Sequence, residues 1–259
     1  MYQFRSSEEL AEARSRPSLD RSYAIGLPVL AVILFVLSTH HGIGIWPDST
    51  RYMNLSPQPW DAPLYPALLQ LVAATGIDIA TAAWGIGFVL TALNSFLTWH
   101  VLRVAGGRSH VAALGTLLIV IAPQSVSFYG LAMSEPLFLT AILASQIAFL
   151  RYTQTDDARW LFAVGIGVGL ASLARFTGPA LGAAFALFLL IDPRLVIAGR
   201  VANVGRILLP SALLFLGWAG LSEEISGRST GRPLEWLGNM TTADWWSSFE
   251  ALTAWIVPD

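Results

Sequence analysis

Long apolar runs separated by short polar breaks fill most of this chain. They fall at roughly 22–40, 79–102, 110–129, 135–151, 159–175, 177–191 and 206–222. Runs of this length and apolarity predict membrane helices, so the expected fold is all-α: a polytopic transmembrane helical bundle of about seven spans. A shorter apolar stretch, 63–76, opens on Pro63 and Pro66 and closes on Gly76. It predicts a helix lying on or dipping into the membrane within the first outer loop. Ahead of it, 46–61 carries Trp46, Pro47, Pro57, Pro59 and Trp60, which suits a structured segment at the interface. The final stretch, 223–259, is too charged and too rich in Trp and Gly to span, and Trp236, Trp245, Trp246 and Trp255 suit the headgroup level.

Residues 159–191 fit either one long span or a hairpin of two short ones. Arginine distribution separates the two. With seven spans and a cytoplasmic N-terminus, eleven arginines lie inside, and four (Arg51, Arg175, Arg228 and Arg232) lie outside. A single span would move Arg194, Arg200 and Arg206 outside and erase that bias. The hairpin is therefore expected, with Arg175–Gly178 at its outer tip. The implied organisation is a cytoplasmic segment 1–21, a transmembrane module 22–222 and an outer interfacial tail 223–259. The N-terminus is expected in the cytoplasm and the chain in the plasma membrane, in a bacterium by its composition.

Composition narrows the function classes. Of 259 residues, 54% are hydrophobic and 12% charged, about half the usual charged share of a soluble domain. A net charge of −2 without a basic stripe gives no footprint for nucleic acid. With no cysteine, disulfides, thiolate chemistry and Cys-based metal sites are excluded. All fifteen basic residues are arginine. No motif demands a cofactor; a divalent cation stays open.

Four polar patches fall on the predicted outer side: Asp48-Ser49-Thr50-Arg51, Asp61-Ala62-Pro63-Leu64-Tyr65-Pro66, Ser134-Glu135-Pro136-Leu137 and Ala174-Arg175-Phe176-Thr177-Gly178. Charge at a lipid boundary is costly and is usually functional. Asp48 reads as a helix N-cap or as a general base at the membrane surface. Ser134-Glu135-Pro136 reads as a helix start, with Ser as cap, and such a start offers N–H groups to a phosphate. Arg175 either pairs with Glu135 or grips a lipid-linked phosphate. Gly165, Gly167 and Gly169 sit in an apolar helix with no strand before them, so they predict close helix packing rather than a nucleotide loop. Asn94 and Gln146 predict interhelical hydrogen bonds, and the four histidines read as interfacial.

In this order, the "D-S-x-x-Y", "P-L-Y-P", "S-E-P-L-F" and "R-x-T-G" elements resemble the GT-C superfamily of integral membrane glycosyltransferases. That superfamily includes protein O-mannosyltransferases, lipid A aminoarabinose transferases and the mannosyltransferases of glycolipid-anchor assembly. The resemblance covers about 46–180. It implies a polyprenyl-phosphate sugar donor, a glycan, lipid or protein acceptor, and Asp48 as catalytic base. Arg175, Glu135, Arg51, Ser134, Asp61 and Tyr65 are then expected around the donor phosphate and substrate. Many relatives carry Asp-Glu where this chain has Asp48-Ser49, which argues against a two-carboxylate or metal scheme there. Relatives also carry more spans and a further outer domain, against which 223–259 reads as a tail or the start of a longer C-terminal part. Two other classes use the same patches: a transporter or lipid flippase, and a non-catalytic subunit binding a lipid-linked partner. The absence of an internal repeat and the placement of charge at one face count against the transporter.

Overall fold

The computed structural model describes residues 17–54, 61–226 and 241–254. The expectations for most of the N-terminal segment, for Pro57, Pro59 and Trp60, and for Arg228, Arg232, Trp236 and Trp255 lie outside those residues. The described chain is helical apart from connections and one isolated bridge between Gly44 and Leu131. The helices are α1 (Pro17–Ser38), α2 (Pro47–Asn54), α3 (Leu64–Ala73), α4 (Ile79–Val104), α5 (Ser109–Ile121), α6 (Pro123–Tyr129), α7 (Glu135–Thr155), α8 (Arg159–Ala174), α9 (Pro179–Ile191), α10 (Ile197–Ser226) and α11 (Thr242–Ala254).

Four of these are long and apolar enough to cross a membrane: Leu19–Ser38, Ile79–Val104, Glu135–Thr155 and Ile197–Leu221. The run expected as one span over 110–129 is broken. α5 and α6 meet at 66°, because Pro123 has no N–H to give and pushes Ala122 out of the helical region, to ψ 129°. Counted as one, the bent pair makes a fifth crossing. The legs expected at 159–175 and 177–191 are helices of 16 and 13 residues, short of a usual span. α10 begins at Ile197, nine positions before the expected start, which shortens the preceding loop to 192–196. Large apolar side chains stay exposed in stripes at helical spacing: Ile25, Val29, Ile33 and Leu37 on α1, and Val111, Leu114 and Leu118 on α5. A stripe of that size on the outside of a bundle is a face for lipid.

The hairpin is present. α8 lies antiparallel to α7 and parallel to α10, and its three glycines make both contacts possible. A Cβ at Gly167 would stand 2.2 Å from Ser145 Oγ on α7, and one at Gly165 would stand 2.4 Å from Ile207 O on α10. Between α8 and α9 the chain turns within 175–178. Gly178 is packed so tightly on Ser172 that a Cβ would meet backbone at 2.3 Å. Below this turn Leu161, Val164 and Val168 join Phe149, Phe185, Leu189 and Ile207 in one buried cluster across α7–α10. Asn94 is an interhelical tie, as expected: its Nδ2 donates to Pro136 O at 2.8 Å and its Oδ1 accepts from Thr140 at 2.7 Å.

Candidate active site

At one end of the bundle, two segments far apart in sequence are stitched together by backbone. Gly44 N–H donates to Gly130 O at 2.8 Å, and Ala132 N–H donates to Gly44 O at 3.0 Å. Glycine at 44 allows this close approach: a Cβ would lie 2.6 Å from Leu131 Cδ2, forcing that side chain to move, and 3.1 Å from Gly130 O. This short pairing sets α2 beside the start of α7. Fully buried Ser49 then locks the first turn of α2. Its hydroxyl accepts from Trp46 N–H at 3.0 Å and lies against Met133.

Asp48 is therefore not the cap of α2. It lies inside the first turn, where a carboxylate suits the helix dipole, and its Oδ1 takes a hydrogen bond from Arg51 Nη2 at 2.8 Å. Arg51 also grips Asp61, with Nε to Oδ2 at 2.8 Å and Nη2 to Oδ1 at 3.0 Å. A single guanidinium thus joins two carboxylates, one from α2 and one from the segment leading into α3. The Asp61 hydrogen bonds, joined by those of Asp48, hold Arg51 charged even more firmly than an ordinary guanidinium. The second carboxylate missing at Ser49 is supplied by Asp61, twelve residues downstream, and it faces an arginine. Among the described residues no three His, Asp or Glu side chains gather as a metal site would need.

The second charged pair, Glu135 with Arg175, joins the first turn of α7 to the tip of the hairpin. Glu135 Oε1 takes the hydrogen bond, while its Oε2 is buried with no hydrogen-bond partner. That oxygen is an unsatisfied acceptor beside the ion pair. Ser134 occupies the N-cap position of α7 but makes no capping bond, contrary to the cap reading. Its Oγ faces Tyr52 OH at 3.4 Å instead.

Tyr52 and Tyr65 link the two charged pairs. Their rings meet edge to face at 5.5 Å, over a buried cluster that includes Leu69, Ala83 and Ala132. Burial, with the charges of Asp61, Asp48 and Glu135 close by, pushes the Tyr52 hydroxyl above its ordinary value despite its contact with Ser134. Burial likewise raises that of Tyr65, with smaller pushes from Tyr52 and Glu135. Both phenols are neutral at physiological pH. All seven sequence-derived site residues therefore gather at one end of the bundle. Sequence reasoning noted Tyr52 only as the tyrosine of the D-S-x-x-Y element and gave it no chemical role, although it lies four positions after Asp48, on the same side of a helix. It also missed Ser49, whose signal was only a small polar residue in an acidic turn. A separate cavity lies between α1, α4, α5, α6 and α7 and is lined by Thr91, Asn94, Ser95, Thr116 and Tyr129, among others. Its lining holds no carboxylate or guanidinium, in contrast to the charged cluster.

No curated protein and no solved structure matches this chain. The sequence model of the dolichyl-phosphate-mannose-protein mannosyltransferases matches residues 58–218, which include Asp61, Tyr65, Ser134, Glu135 and Arg175 and leave Asp48 and Arg51 just upstream. That span is well over half of the sequence, and it carries the interlocked α4–α10 framework together with the Glu135–Arg175 pair. The chain belongs to the dolichyl-phosphate-mannose-protein mannosyltransferase family, and it is a membrane glycosyltransferase of the GT-C type.

Proposed function

We propose that this protein moves a sugar of the mannose type from a polyprenyl-phosphate carrier to an acceptor hydroxyl, with inversion at the anomeric carbon. The observation that carries the reading is the convergence of Asp48–Arg51–Asp61 and Glu135–Arg175 at one end of the bundle, bridged by Tyr52, Ser134 and Tyr65. Asp48 takes the proton of the acceptor hydroxyl. The acceptor oxygen forms a bond to the anomeric carbon as the bond from that carbon to the phosphate oxygen breaks. The electron pair leaves with the phosphate, whose charge is held by Arg175, Arg51 and the helix start at Ser134. Fixed charge placed where charge develops is often the largest catalytic contribution. Glu135 Oε2, buried and unpaired in the structure, takes a sugar hydroxyl as its hydrogen-bond donor once the donor substrate binds.

The site faces outward in this reading. The chain crosses the membrane seven times, with a cytoplasmic N-terminal segment before 22 and the tail after 222 outside. α3 rests at the interface, and α8 and α9 cross as short legs walled by α7 and α10. The arginine asymmetry supports that arrangement. So does the alternation of helix directions, with the Asp20–Arg103 pair at the end opposite Arg175. An outward site excludes sugar nucleotides, which are cytoplasmic, and favours a donor carried by lipid. The exposed Trp245, Trp246 and Phe249 of α11 suit a tail at headgroup level.

The test is sugar transfer from a synthetic polyprenyl-phosphate donor by the full chain in detergent. Asp48→Asn keeps shape and removes the base, so turnover should fall by roughly 10²–10⁴-fold, while carrier binding stays near wild type. Unchanged transfer by Asp48→Asn would take Asp48 out of the mechanism.

A further inference from the structure

Asp61 sits oddly in a site built for a phosphate. A carboxylate beside an anion weakens the anion's binding, so affinity alone gives no reason for it. Its geometry gives one. Asp61 comes from outside α2, on a segment anchored by Tyr65 and Leu69, which are 2% and 0% exposed. It is also the least exposed member of its cluster: its side chain is 15% exposed, against 38% for Arg51 and 37% for Asp48. From that rigid base it takes Arg51 in a two-pronged grip through Nε and Nη2. Such a grip fixes the plane of a guanidinium and its rotation, which one hydrogen bond would not do. Nη2 is thereby turned to Asp48, and Nη1 makes no hydrogen bond among the described residues.

Resting on the glycosyl-transfer reading above, we infer that Asp61 is a positioning residue: it locks Arg51 so that one guanidinium touches the base Asp48 through Nη2 and the donor phosphate through Nη1. Two hydrogen bonds reaching out from one guanidinium set their acceptor oxygens roughly 6–7 Å apart. Inverting glycosidases place their two carboxyl groups about 6.5–9.5 Å apart across the reacting carbon, so the span suits an in-line displacement. Asp61 gives up some affinity for the carrier and gains the register between base and leaving group, which acts on turnover rather than on binding.

The experiment compares Asp61→Asn, Asp61→Glu and Arg51→Lys in the full chain. It measures kcat with the lipid-linked sugar donor, and Kd and stoichiometry with polyprenyl phosphate lacking the sugar. Asp61→Asn should bind polyprenyl phosphate as tightly as wild type or a few-fold tighter, since one negative charge has gone, at unchanged stoichiometry. Its kcat should fall by roughly 10²-fold, the scale set by an ångström of misplacement. Asp61→Glu should recover part of that loss by re-forming the grip. Arg51→Lys keeps the charge and loses the fork, so its kcat should fall similarly while binding changes little; it carries the test if Asp61→Asn does not fold. Wild-type kcat in either Asp61→Asn or Arg51→Lys overturns the inference. So does loss of carrier binding in folded Asp61→Asn. If Asp48→Asn is inactive while Asp61→Asn is normal, the inference fails and the transferase reading stands. If the wild type transfers no sugar, both fail.

Discussion

Gly165→Ala tests the packing that holds Arg175 in place. The added Cβ would sit 2.4 Å from both Ile207 O and Pro210 Cγ, and 3.1 Å from Ile207 C. Ordinary contacts of this kind are about 3.5 Å or longer, so α8 and α10 must separate by close to 1 Å. Neither obstacle can swing away: one is backbone within a helix and the other a proline ring. Overpacking of this kind costs about 1–3 kcal/mol, and rigid obstacles put it near the top of that range. Ala in place of Gly in a helix returns about 1 kcal/mol. The net loss is about 2 kcal/mol, which for a chain of this size lowers the thermal midpoint by roughly 4–8 °C. Gly26→Ala in α1 is the matched control. Nothing lies within 4 Å of a Cβ there, so only the helix gain applies and the midpoint should rise. The assay is intrinsic tryptophan fluorescence during heating in detergent, supported by the chain's ten tryptophans. Because Arg175 directly follows the last residue of α8, Gly165→Ala should also slow transfer at temperatures where the protein is folded. Equal midpoints for Gly165→Ala and Gly26→Ala would refute the argument that backbone contact between α8 and α10 sets the hairpin.

Arg175→Ala leaves Glu135 without its partner and removes a cation from the phosphate site. Carrier binding should weaken first, and stability should drop by roughly 1–2 kcal/mol, less than for a fully buried pair because both side chains keep some water; titration with polyprenyl phosphate and a melting curve check both. Asp192 is held below the ordinary carboxylate value of 3.8, chiefly by hydrogen bonds from the Arg194 side chain. A depressed folded value means this contribution is complete above that pH and fades as pH falls further, so Asp192→Asn should flatten the acid side of a midpoint-against-pH curve below about pH 4. The topology predicts that a cysteine at Ala198, exposed at the start of α10, reacts with an impermeant thiol reagent only in opened cells, and that one at Thr75 reacts in intact cells. Labelling of position 198 from outside would reverse the assignment.

The sequence by itself determined the membrane class, the helical fold and most of the elements. Apolar runs far beyond what one core can bury leave a backbone little choice but helix in lipid. Local chemistry also settled several boundaries. Asp78 caps α4 by accepting from Ala80 and Thr81 N–H, and Pro136 and Pro179 sit in the first turns they favour. The arginine bias was enough to separate a hairpin from a single long span, because charge asymmetry is a property of the whole chain. The sequence also singled out the seven charged and polar residues that the fold brings together at one end of the bundle, since polar groups at a lipid boundary are rare enough to stand out.

Only the tertiary structure decided how those residues pair. Asp48 looked like a cap because its neighbours suit a helix start; it lies two positions past the cap because the helix begins at Pro47, with Ser49 reaching back to Trp46 N–H. Ser134 gave up its capping bond for Tyr52, a contact across 82 residues that no local pattern encodes. The grip of Asp61 on Arg51 depends on the chain returning to α2 after ten residues, and it supplies the second carboxylate that position 49 lacks. The break at Ala122–Pro123 was written in the sequence, but hydropathy averaged across it, and only the coordinates show the 66° bend there. Hydropathy and charge are sums along the chain and survive without coordinates. Hydrogen-bond partners are choices among competitors in space, and the fold makes them.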